Sequence, residues 1–258
     1  RLNSHALKQT VRSHPMPTAV ALLRSPDSPD AYVQAFEQAG LSASCVPVLS
    51  FRFPNQQALV QQLQVAGTRS GLILTSPRAA AALKQAFEDE TGLRVLWNDK
   101  TVFVVGPKTA EAARDIGLTP QGQTAGKAAA LVESIGAEWD KQRLQLPLLF
   151  LSGNRRRDTL TNGLAKTGIP VIEQVVYETK PRSDVQIDSD TRWLAFFSPS
   201  GLEAVEASRV TLTNFRIAAI GPTTGQALSD AGMPPDAIAH RPTPSALVDA
   251  VASAEKGR

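Results

Sequence analysis

The sequence has few of the residues on which metal sites, disulfides and catalytic triads are built. Its 258 residues include a single cysteine, Cys45, which excludes an intrachain disulfide and fits a reducing compartment. Two of the three histidines, His5 and His14, lie near the start of the chain, so no histidine cluster remains for a metal or a triad. No apolar run approaches the roughly 20 residues that span a bilayer. The sequence therefore indicates a soluble globular protein that uses neither membrane nor metal.

Charge and nucleotide-binding motifs are equally sparse. Lys and Arg number 27 against 24 Asp and Glu, and this net charge of +3 is too small and too dispersed to indicate nucleic-acid binding. Neither a dinucleotide fingerprint nor a phosphate-binding P-loop is present. The acids Asp27 and Asp30 lie in a polar stretch and are interpreted as solvent-exposed. Nucleotides and nucleic acids are therefore not expected as ligands.

Residues 1–15 contain bases and histidines but no acid, a composition typical of organelle transit peptides. The alternative interpretation is that Met16 is the true start and that the preceding residues are extraneous. We expect a cytoplasmic protein, or import into an organelle if this tail is a transit remnant. Both interpretations leave the tail outside the fold.

A pattern that occurs twice dominates the rest of the chain. An apolar run ending in Ser-Pro, and later an apolar run ending in Gly-Pro-x-Thr, fill residues 71–78 and 102–109 and again residues 194–201 and 217–224. Such repetition indicates two similar halves. The second copy breaks off at the C-terminus, and residues 19–48 match the segment that continues the first copy. The first domain is therefore expected to be discontinuous.

The sequence predicts an α/β fold, because short runs rich in Val, Ile, Leu and Phe alternate with stretches of helical spacing. We expect two flavodoxin-like domains with parallel sheets, joined by a two-stranded β-ladder that acts as a hinge. The expected boundaries are residues 16–48 plus 183–258 for domain 1, 54–174 for domain 2, and 49–53 with 175–182 for the hinge strands.

Four predicted turns from strand to helix share one signature, a Ser or Gly at the N-cap followed by proline. They are Ser76, Gly106, Ser198 and Gly221. Helix N-termini beyond the carboxyl ends of parallel strands attract anions. The turns therefore favour a cleft between two lobes that binds a ligand with many negative groups. The alternative is that each turn is only a capping device.

Two further features have both a functional and a structural interpretation. Arg155, Arg156 and Arg157 place three cations at a predicted helix start, which indicates either an anionic partner or a solvated basic face. Tyr177, one of two tyrosines, lies on the strand that returns between the lobes. Its phenol is positioned to donate a proton or hydrogen bond to a ligand, or else packs against the hinge.

From Met16 onward the chain resembles the uroporphyrinogen-III synthase family. The resemblance rests on blocks that occur in the family's order, at residues 47–51, 75–79, 104–106, 152–154, 176–179, 196–201, 220–224 and 242–244. It implies a monomeric lyase without metal or organic cofactor. The implied reaction closes the linear tetrapyrrole hydroxymethylbilane, which carries eight carboxylates, into uroporphyrinogen III. The last ring, ring D, is inverted through a spiro intermediate.

The resemblance also implies roles for particular residues. Tyr177 matches the tyrosine that assists departure of the substrate hydroxyl. The expected substrate-binding positions are Thr75, Ser76, Arg78, Gly106, Thr109, Ser152, Gly153, Asn154, Ser198, Ser200, Gly201, Thr223 and Thr224. Hydroxymethylbilane synthase is the implied source of substrate by transient hand-over. A different class of function, a two-lobed binding protein for an anionic small molecule, shares the hinge but predicts no turnover.

Overall fold

The computed structural model describes residues 20–122, 124, 126–141, 144–156 and 158–256. The predicted tail at residues 1–15 and Arg157 lie outside this range. The described chain forms two compact units. One contains the residues up to Ser50 together with those from Pro181 onward, and the other is Phe51–Lys180.

The strands are β1 (Val20–Leu23), β2 (Ala43–Cys45), β3 (Leu49–Arg52), β4 (Gly71–Leu74), β5 (Thr101–Val104), β6 (Pro120–Gln121), β7 (Leu148–Gly153), β8 (Val171–Pro181), β9 (Trp193–Phe196), β10 (Arg216–Ala219) and β11 (Ala237–Ile238). The α-helices are α1 (Ala31–Gln38), α2 (Gln56–Gln64), α3 (Pro77–Asp89), α4 (Thr91–Trp97), α5 (Pro107–Asp115), α6 (Ala128–Asp140), α7 (Thr159–Lys166), α8 (Pro199–Ala207), α9 (Pro222–Asp230) and α10 (Pro244–Lys256). Two short 3₁₀ helices cover Ala66–Thr68 and Leu212–Asn214.

The sheet of the first unit has the order β11-β10-β9-β1-β2, and all of its pairs are parallel. Leu22 of β1 is in register with Cys45 of the edge strand β2 on one side and with Ala195 of the central strand β9 on the other. If the five strands are numbered 1 to 5 in the order in which they occur along the chain, the order across the sheet from β2 to β11 is 2-1-3-4-5. This order is that of flavodoxin-like sheets, whose ligands bind where the order reverses.

The sheet of the second unit has the order β3-β8-β7-β4-β5-β6, and the pairs from β8 to β6 are parallel. Its five strands from β8 to β6 repeat the flavodoxin-like order if β7 and β8 are counted before β4. The strand β3 adds a sixth member beside β8. The prediction of an α/β fold with parallel sheets is confirmed.

Each sheet is covered on both faces, which explains why its central strands are buried at every residue. In β1, Val20 and Leu22 pack into one core cluster, whereas Ala21 and Leu23 pack into another. The alternate residues of β7 divide in the same way between two clusters of the second unit. Because helices cover both faces of each sheet, a ligand can reach the sheet only at its edges and at the ends of its strands.

All four predicted helix starts occur as N-caps followed by proline at the first helical position. Proline fits there because its fixed φ is helical and its missing N–H would have no partner within the helix. Gly106 adopts a φ of 81°, a left-handed conformation that favours glycine. These turns fix where each helix leaves the sheet edge.

The interpretation of Asp30 as a solvated acid was wrong. Its side chain is 7% exposed and forms an ion pair with Arg24. The carboxylate caps α1 by accepting hydrogen bonds from the backbone N–H groups of Tyr32 and Val33. Burial alone would raise the pKa of Asp30, but backbone N–H donors and the Arg24 charge outweigh burial and lower it. Asp30 is therefore part of the structure of the first unit.

Candidate active site

A cavity of about 570 Å³ lies in the second unit at the carboxyl ends of β4, β5 and β7. Thr75 and Val105, which follow β4 and β5, contribute to its wall, as do Phe150 of β7 and Tyr177 of β8. Its position is the one at which open parallel sheets bind ligands. The cavity brings Thr75 together with Tyr177, two of the residues predicted to form the site.

Two helix N-termini complete the wall of this cavity. The first turn of α6 contributes Ala128 and Ala129, and the first turn of α7 contributes Thr159 and Leu160. No side chain caps either helix at its N-cap residue. The first N–H groups of a helix have no acceptor within the helix and carry a partial positive charge. Both helix starts can therefore donate hydrogen bonds to an anion.

Three basic residues, Lys127, Arg155 and Arg156, belong to the same wall, and none of the described residues that line it is acidic. The sequence had indicated that these arginines stand at the start of a helix. In the structure Arg155 and Arg156 lie in the turn before α7 and not in its first helical turn. Arg156 forms ion pairs with Glu173 and Asp158, and hydrogen bonding to Glu173 raises its pKa. The cavity therefore has a positive wall, although part of the charge of Arg156 is neutralised.

Tyr177 reaches the cavity because β8 contains a β-bulge. Ser152 of β7 pairs with Val175, but the next residue, Gly153, pairs with Tyr177, so Val176 is an extra residue in β8. Consecutive side chains in a regular strand point to opposite faces. The bulge breaks this alternation, since Val176 and Tyr177 both pack against the same core cluster. Within the described chain, the Tyr177 hydroxyl forms no hydrogen bond.

Arg78 provides a further cation at the start of α3, in the same unit. Its guanidinium stacks on the Phe51 ring at 3.5 Å from the centroid, and its backbone N–H donates to Ser76 Oγ at 3.2 Å. Burial lowers the pKa of Arg78, whereas interaction with Tyr177 acts in the opposite direction. Among the described residues no carboxylate pairs with Arg78. The guanidinium is therefore half-buried and available to an anionic ligand.

The other predicted positions of the second unit divide into buried and exposed groups. Thr109 and Ser152 are buried, and no described residue hydrogen-bonds to Ser152 Oγ. Gly153 lies directly beneath the Tyr177 ring. Asn154 is exposed, and its amide hydrogen-bonds to the backbone of Thr179. These two residues thus contact the strand that carries Tyr177.

The first unit holds its predicted positions at two further helix starts. Thr223 and Thr224, together with Gly221, line a separate cavity of about 220 Å³ at the start of α9. Ser198 stands at the N-cap of α8, and its side chain makes no capping hydrogen bond. Ser200 and Gly201 follow in the first turn of α8, where Gly201 is buried against Phe196. Both starts retain donor capacity for an anion.

Sequence reasoning did not select Lys127 and Thr159 for the site. A signal was present for Lys127, because residues 124–132 repeat as 243–248 in the second half of the chain. The repeat marks a helix start in each unit, at α6 and α10. Thr159 carried no such signal, since the turn before α7 has neither proline nor a capping side chain.

Metal and membrane sites are not found in the part of the chain that the structure describes. No group of three or more His, Cys, Asp or Glu side chains is arranged to hold a metal ion there. Among the same residues, no helix has the length and apolarity to cross a bilayer. The polar side chains in the described wall of the 570 Å³ cavity are cations, hydroxyls and a phenol, and apolar residues such as Val105, Phe150 and Leu160 complete it.

The fold and the cavity define a class: α/β proteins with two doubly wound parallel sheets and a cavity with basic residues in its wall at the strand ends. Comparison with known proteins defines the family. The model of the family described as "Uroporphyrinogen-III synthase HemD" matches residues 30–249. The chain therefore belongs to the uroporphyrinogen-III synthase family.

Individual relatives agree with this assignment. The uroporphyrinogen-III synthase of Schizosaccharomyces pombe is 30% identical over 248 residues, which cover 92% of this chain and 96% of the relative. That of Saccharomyces cerevisiae is 32% identical over 206 residues, 70% of this chain and 74% of the relative. Among solved structures, the uroporphyrinogen-III synthetase of Helicobacter pylori matches with a TM-score of 0.59 at 19% identity, covering 91% of this chain and 98% of that one. This structural likeness shows the shared fold.

Proposed function

We propose that the chain catalyses the closure of hydroxymethylbilane to uroporphyrinogen III, with inversion of ring D and release of water. Its family membership places it among cyclising lyases of tetrapyrrole synthesis. The observation that supports roles for particular residues is the composition of the cavity wall in the second unit. There a phenol, Tyr177, shares one wall with three cations and two helix starts.

The charges of the cavity suit a substrate with eight carboxylates. Lys127 and Arg155 supply positive charge, and the first turns of α6 and α7 supply N–H donors. Charge-assisted hydrogen bonds of this kind are about twice as strong as neutral ones. Arg78, Ser76, Thr109 and the helix starts of the first unit are proposed to hold further carboxylates. Most of the holding is therefore assigned to backbone N–H groups and cations.

Tyr177 is proposed to assist the first chemical step. The C–O bond of the terminal hydroxymethyl group breaks, and the oxygen takes a proton and leaves as water. The pyrrole nitrogen stabilises the resulting azafulvene cation. A phenol can donate the required hydrogen bond to the departing oxygen. The cation then closes at the substituted carbon of ring D to form the spiro intermediate. The older bond from that carbon to the bridge with ring C breaks, ring D turns around, and its unsubstituted α-carbon bonds to the bridge and loses a proton, which balances the proton taken by the departing water.

Positioning is the main task of the protein in this reaction, since direct closure proceeds without enzyme and gives the type I isomer. The enzyme must fold the flexible chain so that the spiro route is faster than direct closure. We also propose that the two compact units are separate domains with β3 and the end of β8 as their connections, and that the protein acts as a monomer. Hydroxymethylbilane synthase is the proposed supplier of substrate, and the cytoplasm the proposed site of action, with organelle import as the alternative.

A product analysis tests the proposed function. Hydroxymethylbilane is supplied to the protein, the products are oxidised to porphyrins, and the isomers are separated by chromatography. We expect the type III isomer, whereas heat-denatured protein should give only type I. Exclusive formation of type I by the native protein would refute the proposal. The same result, combined with saturable binding of hydroxymethylbilane, would favour the alternative of a binding protein.

The role of Tyr177 is tested by Tyr177→Phe, which removes only the hydroxyl. We expect kcat for the type III product to fall by about tenfold or more, since general acid catalysis contributes about 10²–10⁴. The matched control is Tyr32→Phe, because Tyr32 is the other tyrosine and its hydroxyl donates to the Pro242 carbonyl in the first unit. Equal turnover of the two variants would leave Tyr177 as a packing residue.

A further inference from the structure

The surroundings of Tyr177 contain a contact that its proposed chemical role does not by itself require. An ideal Cβ placed on Gly153 would lie 2.3 Å from Cζ of the Tyr177 ring and 2.6 Å from its hydroxyl oxygen. Both distances are far shorter than any non-bonded contact. The ring therefore rests directly on the backbone of β7, in space that a side chain at position 153 would occupy.

The β-bulge in β8 brings the ring to this place. Gly153 pairs with Tyr177 only because Val176 is inserted between the two pairings. Val176 is 1% exposed, so its side chain anchors the bulge in the core. A bulge re-aims the side chains that follow it, and Tyr177 is the first of these. The bulge sets the direction in which the Tyr177 ring points, and the glycine sets how closely the ring approaches the backbone of β7.

Asn154 holds the backbone of β8 at Tyr177 and just beyond it. Its N–H donates to the Tyr177 carbonyl at 3.1 Å. Its side-chain Oδ1 accepts a hydrogen bond from the Thr179 N–H at 2.9 Å, and its Nδ2 donates to the Thr179 carbonyl at 3.4 Å. These bonds continue the attachment of β8 to β7 beyond the bulge. Tyr177 thus lies in a segment of β8 that is fixed from the neighbouring strand.

We propose that Gly153 and Asn154 are positioning residues that seat the Tyr177 phenol for the reaction. This inference rests on the proposed function. It gives the two residues a role that acts through Tyr177 and does not depend on their own contact with substrate. A displacement of about 1 Å of a reacting group costs on the order of 10²-fold in rate. The seat therefore affects kcat more than it affects substrate binding.

The first test is Gly153→Ala, which introduces the Cβ and forces the ring to move. We expect kcat for the type III product to fall by about 10²-fold, while KM stays within about twofold because the carboxylate-binding groups are untouched. The matched control is Gly136→Ala in α6, where a Cβ meets no atom within 4 Å. That variant should keep the wild-type kcat. An unchanged kcat in Gly153→Ala would overturn the proposal.

A thermal double-mutant cycle tests the contact without using activity. Gly153→Ala should lower Tm by about 2–4 °C in the wild-type background. In a Tyr177→Ala background the ring is gone, and the same change should have no such effect. Equal losses of Tm in both backgrounds would show that Gly153 does not position the Tyr177 ring, even if Tyr177 proves essential for turnover. A different outcome is full turnover by Tyr177→Phe together with a Tm loss from Gly153→Ala that depends on the Tyr177 ring. It would confirm the contact between Gly153 and the ring, but it would refute both the chemical role of Tyr177 and the proposal that Gly153 positions it for the reaction.

Asn154→Ala provides a second variant if Tyr177→Ala does not fold. Asn154 is exposed, so its truncation leaves the core of the unit intact. We expect kcat to fall severalfold with little change in KM, and we expect this effect to disappear in the Tyr177→Phe background. A loss of equal size in both backgrounds would show that Asn154 acts independently of Tyr177 and would overturn its assignment.

Discussion

Arg78 offers a decisive perturbation of the proposed site, because burial disfavours its charge and, among the described residues, the Phe51 ring contacts that charge but no carboxylate pairs with it. The guanidinium is half-buried, stacks on Phe51 at 3.5 Å and has no carboxylate partner among the described residues. Burial lowers its pKa, which shows that the surroundings disfavour the charged form. Arg78→Met keeps the apolar stem against Phe51 and removes only the charge and its donors.

The expected effects on stability and on activity differ in size. Loss of the cation–π contact costs about 0.5–2 kcal/mol, and removal of a partly buried charge without an acidic partner acts in the opposite direction. The free energy of unfolding should therefore change by about 1 kcal/mol or less, a shift in Tm of about 2–4 °C. A charge-assisted hydrogen bond to a substrate carboxylate contributes about 1.5–3 kcal/mol. Its loss should lower kcat/KM by about 10- to 150-fold.

The assay is steady-state formation of uroporphyrinogen III, with Tm measured on the same preparations. Lys84→Met is the matched control, because Lys84 lies on the same helix and its side chain is 61% exposed beside Glu88. That variant removes the same charge and should leave kcat/KM unchanged. Arg78→Lys keeps the charge but loses the planar stack on Phe51, and an intermediate kcat/KM is expected. If Arg78→Met and Lys84→Met agree within about twofold, the reasoning about Arg78 is refuted.

Two further predictions concern the first unit. Asp30→Asn should lower the free energy of unfolding at pH 7 by about 1 kcal/mol through loss of the pair with Arg24. The folded-state pKa of Asp30 lies below its ordinary value of 3.8. The difference in the free energy of unfolding between wild type and variant should therefore be full above about pH 5 and vanish as pH falls through 3.8 and below. Urea denaturation across this pH range measures the difference, and a value that stays constant with pH would contradict the prediction. Burial, with help from Asp30, raises the pKa of Cys45 to about 11. At pH 8 Cys45 should react with an aromatic disulfide about 100-fold more slowly in the native than in the unfolded protein, and equal rates would show the thiol to be accessible and ionised.

The repeated pattern in the sequence predicted the strands and the helix starts because these are set by local physics. A run of apolar residues buried on both faces, followed by an N-cap and a proline, leaves few alternatives to a parallel strand and a helix. All four turns with this signature form as expected, at Ser76, Gly106, Ser198 and Gly221.

The surroundings of Tyr177 were not predictable in the same way. Strict alternation along β8 would place Tyr177 on the face of Glu173 and Val175, away from Val176. The structure packs Val176 and Tyr177 against one core cluster, because the pairing with β7 shifts by one residue at Gly153. A bulge depends on the register between two strands, and the sequence of one strand does not reveal it.

Pairings between charged groups that depend on the folded backbone also escaped prediction. The sequence offered two interpretations for Arg156, an anionic partner or a solvated basic face, and the structure pairs it with Glu173, 17 positions away. Asp30 was interpreted as solvated because its neighbours are polar, yet Arg24 and the backbone N–H groups of Asp27, Tyr32 and Val33 bind its carboxylate. Local composition reports the polarity of a segment, and only the fold decides which charges meet.

The four similar turns differ in a way that affects ligand binding and that only their geometry reveals. Ser76 Oγ accepts the hydrogen bond of the Arg78 N–H, so part of the donor capacity at the start of α3 is already used. Ser198 makes no such bond, and Gly106 and Gly221 have no side chain to make one. The starts of α5, α8 and α9 therefore retain more N–H donors for a carboxylate, whereas α3 contributes chiefly through the Arg78 guanidinium. Because backbone N–H groups do not depend on the side chain, single substitutions at the hydroxyls should cost less than loss of the charge at Arg78.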